Sequence, residues 1–509
     1  MQQPLASPAS TPAVWIGALL SAFLGAAILF DALAGINWGI WVASAAAAVI
    51  LSRRFSGLAI DRPLLILLGW ATLLAFAVGV TDEAFIRVLV IASDAMLLGL
   101  AVIVTGTTSW RSLSAKLLAT IPFLALVRVW LATFREAAMV PHSTSSARAR
   151  PIVRGLLITI PIVIALVLLL RNADPVFAWI ADRVADILPQ WSFSARALFF
   201  LFLASLTLGA SSIAASQTEP RLPSLPLLAT RTRIGVTEQR MVLTSIAVLL
   251  WLFVLLQGSY LLHPPPSAVG SGVSFADFAR NGFAQLSVAV TLVGAIILVL
   301  EATRPADIDA RQLRLLTRLE MALVIALEFM LISAFRRVIL YEQAYGFTTT
   351  RVFAQAYMVV LALALVALWL EIGRGLSTVD FGRRASVIAL GVFTILAFWN
   401  FEAWIVNRNI DLSQRTGKFD SLYSTQLSDD VVPTLVTRRG ELPTLERDQL
   451  NEWLACTSPT TPRRWFEFNA SARAARAARL SIPLSPCPQP RLYGGPRLPQ
   501  APDTTEVHN

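Results

Sequence analysis

The feature that most constrains this chain is a succession of apolar runs, each close to the ~20 residues needed to cross a hydrocarbon layer ~30 Å thick. Inside a bilayer every backbone N–H and C=O must be satisfied by the chain itself. Such runs therefore fold as bundled helices or as the strands of a closed barrel. Barrel strands would read as alternating segments of about ten residues, and that pattern is absent from the sequence. Composition agrees: the 509 residues are 56% hydrophobic and 15% charged, whereas soluble domains carry about a quarter charged residues. The expected fold class is all-α, a polytopic transmembrane helical bundle of eleven spans with a small helical extracytoplasmic tail.

The spans fall near residues 13–33, 36–52, 63–80, 84–104, 153–170, 195–216, 241–262, 282–301, 319–335, 352–372 and 385–405. Residues 110–136 are less regular, because Lys116, Arg128 and Arg135 interrupt the run and Pro122 breaks it. That stretch reads as an amphipathic interfacial helix, with a further span as the alternative. The expected organisation is a four-span region over 1–108, an interfacial segment over 109–152 and a seven-span domain over 153–405. A helical tail over 406–485 and a Pro- and Gly-rich, poorly ordered end over 486–509 follow. The first residues lack the basic stretch of a secretory signal, so the first apolar run is expected to stay as an anchor.

Charge orients the bundle. With the N-terminus placed in the cytoplasm, the loops on that side carry twenty lysines and arginines and the opposite loops seven. The positive-inside rule favours this placement, in a bacterial cytoplasmic (inner) membrane. The net charge of +10 then faces anionic inner-leaflet lipid, and no nucleic acid partner is expected. An odd number of spans leaves the tail outside. Both cysteines, Cys456 and Cys487, lie in that tail. One disulfide would suit an oxidising space; two unrelated thiols are the alternative. In the tail, Ser428 or an adjacent Asp can cap a helix. Arg473, Arg476 and Arg479 recur every three residues, as headgroup contacts or, more plainly, as a solvated helix face.

Chemistry concentrates in "RRVILYEQAYGFTTTR", residues 336–351, a connection between two spans on the outer side. Arg337, Tyr341 and Tyr345 share a helix face if the helix continues. Gly346 can end it at positive φ, Thr348 can cap the next helix, and Glu342 can neutralise an arginine. Three other outer pieces add Asp174, Asp277 with Arg280, and Asn407 with Arg408. Asp174, Asp277, Arg280, Arg337, Tyr341, Glu342, Arg351, Asn407 and Arg408 form a candidate ligand-binding set; independent loop caps and interfacial anchors are the alternative. Within the spans, Asp94 and Glu328 stand near the middle of apolar runs. Each costs perhaps ~2.5–3.5 kcal/mol to insert, so a partner or cavity is expected: a proton or cation relay, or a carboxyl bonded to a neighbouring helix. Three histidines and two distant cysteines provide no metal-ligand spacing, no cofactor motif is found, and no nucleophile can be named.

Several pieces together resemble a family of bacterial membrane proteins called domain of unknown function 4173. They are "NADPVF" at 172–177, "FADFARNGFAQL" at 275–286 and "SAFRRVILYEQAYGFTTTR" at 333–351. "FEAWIVNRNI" at 401–410 and "LSDDVVPTL" at 427–435 complete the set. Asn400-Phe401 replaces that family's Asn-Pro, and Phe275 and Phe278 stand where it has tyrosine. The resemblance assigns no reaction, but it implies that the polar pieces share one outward site. The function expected is binding of an anionic lipid headgroup or envelope precursor, with Arg280, Arg337 and Arg351 as donors and Asp277 and Glu342 orienting them. The alternatives are a proton- or cation-coupled secondary transporter using Asp94 and Glu328 and a sensor or scaffold acting through the tail. The lipid bilayer is the expected partner, and no protein partner can be named.

Overall fold

A computed structural model describes residues 12–104, 125–133, 135–136, 191–216, 234–262, 275–305, 307–375, 377–457 and 463–482. All regular structure among them is helical. Nine helices are long and apolar enough to cross a membrane among these residues. The chain divides into two compact units. The first holds residues up to Phe401 together with Arg463–Ser471, and the second holds Glu402–Pro462 with the residues from Ala472 onward.

The first unit contains two helix groups. One is α1 (Pro12–Leu29), α2 (Ile36–Phe55), α3 (Arg62–Ala75, continued by a 3-10 turn at Phe76–Gly79), α4 (Ala84–Val104) and α5 (Trp191–Ala215). Here α1 packs on α2 and α5, α2 also packs on α3 and α5, and α3 packs on α4. The other is α6 (Val236–Leu262), α7 (Phe275–Ala302), α8 (Ala310–Tyr345), α9 (Thr349–Ile372) and α10 (Thr378–Phe398). Leu243, Val290, Ile297, Leu316, Leu323, Leu327, Val338 and Met358 form its core around α8. The groups meet where Trp70 Nε1 donates to Thr394 Oγ1 at 2.9 Å and where Phe85 and Phe353 lie 5.4 Å apart.

Local chemistry sets the helix limits. Asp309 accepts from the Arg311 N–H to start α8, and Ser377 accepts from the Asp380 N–H to start α10. The 36 residues of α8 span about 54 Å at 1.5 Å per residue, so the helix outruns an apolar layer of ~30 Å. It carries the expected 319–335 span but, being interrupted by charge, is not one of the nine. The last expected span was drawn to 405, whereas α10 stops at Phe398. Trp399 is extended there (φ −92°, ψ 125°), and a new helix begins at Phe401. The 153–170 span lies outside the described residues.

Of the irregular 110–136 stretch, residues 125–133 and 135–136 are helical. Val129 and Ala132 are buried against Val102 of α4 and Ile213 of α5, and the Thr133 hydroxyl donates to the Ser205 carbonyl at 2.6 Å. Part of this segment's apolar face is therefore covered by protein.

The second unit is small and helical: α11 (Phe401–Thr416, entering it at Glu402), α12 (Ser421–Gln426), α13 (Val432–Arg438), α14 (Thr444–Cys456) and most of α15 (Ala470–Leu480). Its core is built from Val406, Ile410, Val431, Val432, Leu435, Leu450, Leu454 and Ala475. Ser428 accepts from the Asp430 N–H at 3.3 Å, the cap expected from the sequence. Arg479 departs from the solvated-face reading. Its side chain is 5% exposed, pairs with Asp429 at 2.9 Å and lies over the Trp453 ring. Cys456 is disulfide-bonded; Cys487, the chain's other cysteine, lies outside the described residues.

Candidate functional site

The connection between α8 and α9 is where the expected chemistry gathers. The helix continues through Tyr345, so Tyr341 and Tyr345, one turn apart, stack with ring centres 4.9 Å apart. Gly346 then adopts φ 81°, a conformation open to residues lacking Cβ, and its N–H returns to the Glu342 carbonyl at 2.8 Å. That turn sends Arg351 back over the helix end. Its guanidinium lies 4.2 Å from the Tyr341 ring centre and donates to the Gly346 carbonyl and, at 3.4 Å, to that of Tyr345. Such a cation–π contact is worth about 0.5–1 kcal/mol at an exposed site. The ring and two carbonyls hold the arginine in place.

Glu342 interacts electrostatically with an arginine, Arg351, and also bonds an amide. It is buried, and its carboxylate accepts from Gln355 Nε2 at 2.7 Å through Oε2, while Oε1 has no hydrogen-bond partner. The amide contact ties α8 to α9 beneath the connection. Thr348 precedes α9 in extended conformation without a side-chain cap; its carbonyl takes the Arg351 and Val352 N–H groups. Arg337 lies half-buried on α8.

The remaining expected residues divide three ways. Asp174 lies outside the described residues. Asp277 and Arg280 occupy the first turns of α7. Arg304, just past α7, pairs with Glu320 near the start of α8 at 2.6 Å. That contact makes α7 antiparallel to α8, so positions 277 and 280 share the bundle end that carries 341–351. Asn407 and Arg408 belong to the second unit. There the Asn407 carbonyl and side-chain oxygen accept from Arg438 at 3.1 and 3.2 Å, and Arg408 lies over Trp404. Arg438 also reaches Asp411 (2.8 Å) and Glu441 (2.6 Å). The hydrogen bond to Glu441, ahead of that to Asp411, pushes the guanidinium pKa up from its ordinary value.

Asp94 is fully buried on α4 and accepts from Trp38 Nε1 of α2 at 2.7 Å; its Oδ1 has no partner. Glu328 on α8 likewise has an unpartnered Oε1. The two carboxyls stand in different helix groups. Among the described residues no cluster of three His, Cys, Asp or Glu could hold a metal ion.

Sequence reading missed a second polar assembly in the first unit. Residues 463–469 interlock with the α1–α2 and α3–α4 turns. Arg463 donates to the Ala34 carbonyl at 2.8 Å and reaches Asp82 at 3.5 Å, and Arg464 donates to the Asp31 carbonyl at 2.5 Å. Glu467 accepts from the Leu33 N–H (3.2 Å), the Arg464 N–H (2.8 Å) and Arg464 Nε (2.7 Å). Asn469 donates to the Val78 and Thr81 carbonyls, and the Phe468 carbonyl accepts from the Ile36 N–H. A Cβ on Gly35 would meet the Glu467 and Phe468 backbone at 2.6 Å. Glycine at 35 is thus a requirement of close approach. Burial alone would raise the Glu467 carboxyl; the Arg464 side chain and the two backbone N–H donors outweigh it and hold the group below its usual range. The contact joins residues more than 380 positions apart, a pairing that no local pattern signals.

Three contacts fix the ends of the bundle. Arg196, near the start of α5, lies over Phe30, whereas Arg53, near the end of α2, donates to the Ala214 carbonyl at the end of α5. The Phe85–Phe353 contact brings the start of α9 to the start of α4. The 463–469 segment, the α1–α2 and α3–α4 turns and the 341–351 connection therefore share one end of the first unit. Pro12 and Val104 are at the other end.

No curated protein and no solved structure matches the chain. A family model does match, but it is a different family from the 4173 group that the motifs resemble, and it too assigns no reaction. Matched over residues 64–437, from α3 to α13, this multi-pass helical chain belongs to the family described as Domain of unknown function (DUF4153).

Proposed function

We propose that this membrane protein binds an anionic group, a lipid headgroup or an envelope precursor, at the α8–α9 connection on the outer side of a bacterial cytoplasmic membrane. The observation that carries the reading is the Arg351 guanidinium, fixed between the Tyr341 ring and two carbonyls at the end of two long helices. A planar fork held in place loses little freedom when it pairs with carboxylate or phosphate. The arginine asymmetry of the loops supports a cytoplasmic N-terminus, which puts this end of the bundle outside. The disulfide at Cys456 fits an oxidising compartment for the tail.

The test is copurified lipid measured by mass spectrometry for Arg351→Ala and Arg351→Lys. Charge-assisted hydrogen bonds are worth about 1.5–3 kcal/mol each, so retention of the anionic species should fall about tenfold or more in both variants. Unchanged bound lipid in both would sink the proposal. A second reading, proton- or cation-coupled transport, draws on the unpartnered oxygens of Asp94 and Glu328. Gradient-driven solute flux in liposomes that is lost in Asp94→Asn would favour it, and absence of flux under any gradient would remove it.

A further inference from the structure

The clasp at residues 463–469 holds its polar groups inward and leaves its apolar ones out. Trp465 is 72% exposed and Phe468 36%, while Leu33, whose N–H bonds to Glu467, is 46% exposed. Large apolar side chains left open on a backbone this heavily bonded need an apolar or amphipathic neighbour. The backbone bond from Ile36 N–H to the Phe468 carbonyl, 2.9 Å, fixes these rings at the start of α2. They therefore lie at the depth where a spanning helix leaves the hydrocarbon. Ile16, Leu20 and Phe23 are exposed at helical spacing along α1, an apolar stripe suited to lipid, and Leu33 follows in the turn beyond Leu29. The exposed apolar side chains of the clasp thus stand at the end of the helix that carries this stripe. Arg464 lies beside it, with its guanidinium over Phe466 at 4.8 Å.

We infer that residues 465–468 are a membrane-interface anchor, with the rings of Trp465 and Phe468 and the side chain of Leu33 seated in the headgroup layer at the end of α1 and the start of α2. Tryptophan prefers this layer because its ring body is apolar and its N–H finds water or headgroup oxygen. The clasp then has two faces: polar bonds tie residues 463–469 to the helix turns, and the rings tie both to the bilayer. The anchor does not depend on Arg351 binding any ligand, so the two ideas fail separately.

The experiment places an environment-sensitive fluorophore on Trp465→Cys and, separately, on Phe468→Cys, in full-length protein reconstituted into vesicles of phosphatidylcholine and phosphatidylglycerol. Unsubstituted protein reports background labelling. Trp465 is 72% exposed, so its replacement disturbs little packing, and it serves as the check on the less exposed Phe468. The anchor predicts a blue-shifted emission, quenched about twofold or more by a nitroxide on the headgroup or upper acyl chain and poorly by aqueous iodide. Iodide quenching equal to that of free dye, with no effect of lipid nitroxide, would overturn it. Shielding from both quenchers would overturn it too, in favour of a protein surface over the rings; loss of that shielding on dilution into excess lipid would identify a second copy.

Discussion

Replacing Glu467 by glutamine tests the clasp at its centre. The wild-type carboxylate takes two backbone N–H groups and the Arg464 side chain, and is itself 5% exposed. Glutamine keeps the size and one acceptor oxygen but removes the charge and adds a donor that faces donors. Breaking a buried ion pair costs about 3–5 kcal/mol. Here the guanidinium of Arg464 is 47% exposed, so solvent screens much of the charge term and the lower bound applies. A loss of about 3 kcal/mol in local opening corresponds to about a hundredfold in the equilibrium. Hydrogen exchange of the amides of Leu33, Ile36 and Phe468 reads that opening directly. The three should exchange about a hundredfold faster in Glu467→Gln, with α8 and α9 unchanged. Because the folded carboxyl sits below its ordinary value, its stabilisation is complete above about pH 4.5 and is lost as pH falls through the lowered value. Wild-type protection at these amides should therefore fall on acidification while that of the glutamine variant stays flat. Exchange within twofold of wild type at neutral pH would refute the assignment of the clasp to this carboxylate.

Three further outcomes follow from individual residues. Gly346→Ala forces a Cβ into φ 81° and should cost about 1–2 kcal/mol, seen as a lower thermal midpoint in detergent with the Arg351 contact disturbed. Gly35→Ala should loosen the clasp as Glu467→Gln does, since its Cβ meets backbone on the partner segment; proteolysis near residue 463 is the readout. Leu435→Ala empties a fully buried site in the second unit's core and should cost about 2–5 kcal/mol, observed as unfolding of that unit by circular dichroism while the apolar helices stay in the membrane fraction.

The membrane fold was legible because its signal is local. Runs such as 84–104 need no partner to be recognised, and α4 appears where that run stands. The α8–α9 turn was legible for the same reason: helical spacing put Tyr341 with Tyr345, and a glycine marked the bend. What failed were side-chain assignments that depend on tertiary neighbours. Opposite charge suggested Glu342 with an arginine, and Arg351 does act on it electrostatically, but its hydrogen-bond partner, Gln355 on the facing helix, carries no charge to signal it. A three-residue arginine repeat suggested a wet face, but Arg479 meets Asp429 and Trp453 across the second unit. The clasp was invisible because each of its members looks ordinary in place. "RRWFEFN" reads as a polar, aromatic loop until the turns at 31–37 and 78–82 give it partners. The short polar signatures pointed to a different family of unknown function from the one whose model matches over 64–437.

Sidedness tests the account most directly. Single cysteines at Tyr345 and Arg54, each exposed, would be probed with a membrane-impermeant maleimide in sealed vesicles of known orientation. The account predicts that position 345 reacts from one side, the periplasmic-type face, and position 54 only from the other. Labelling of 345 and 54 from the same side would contradict it.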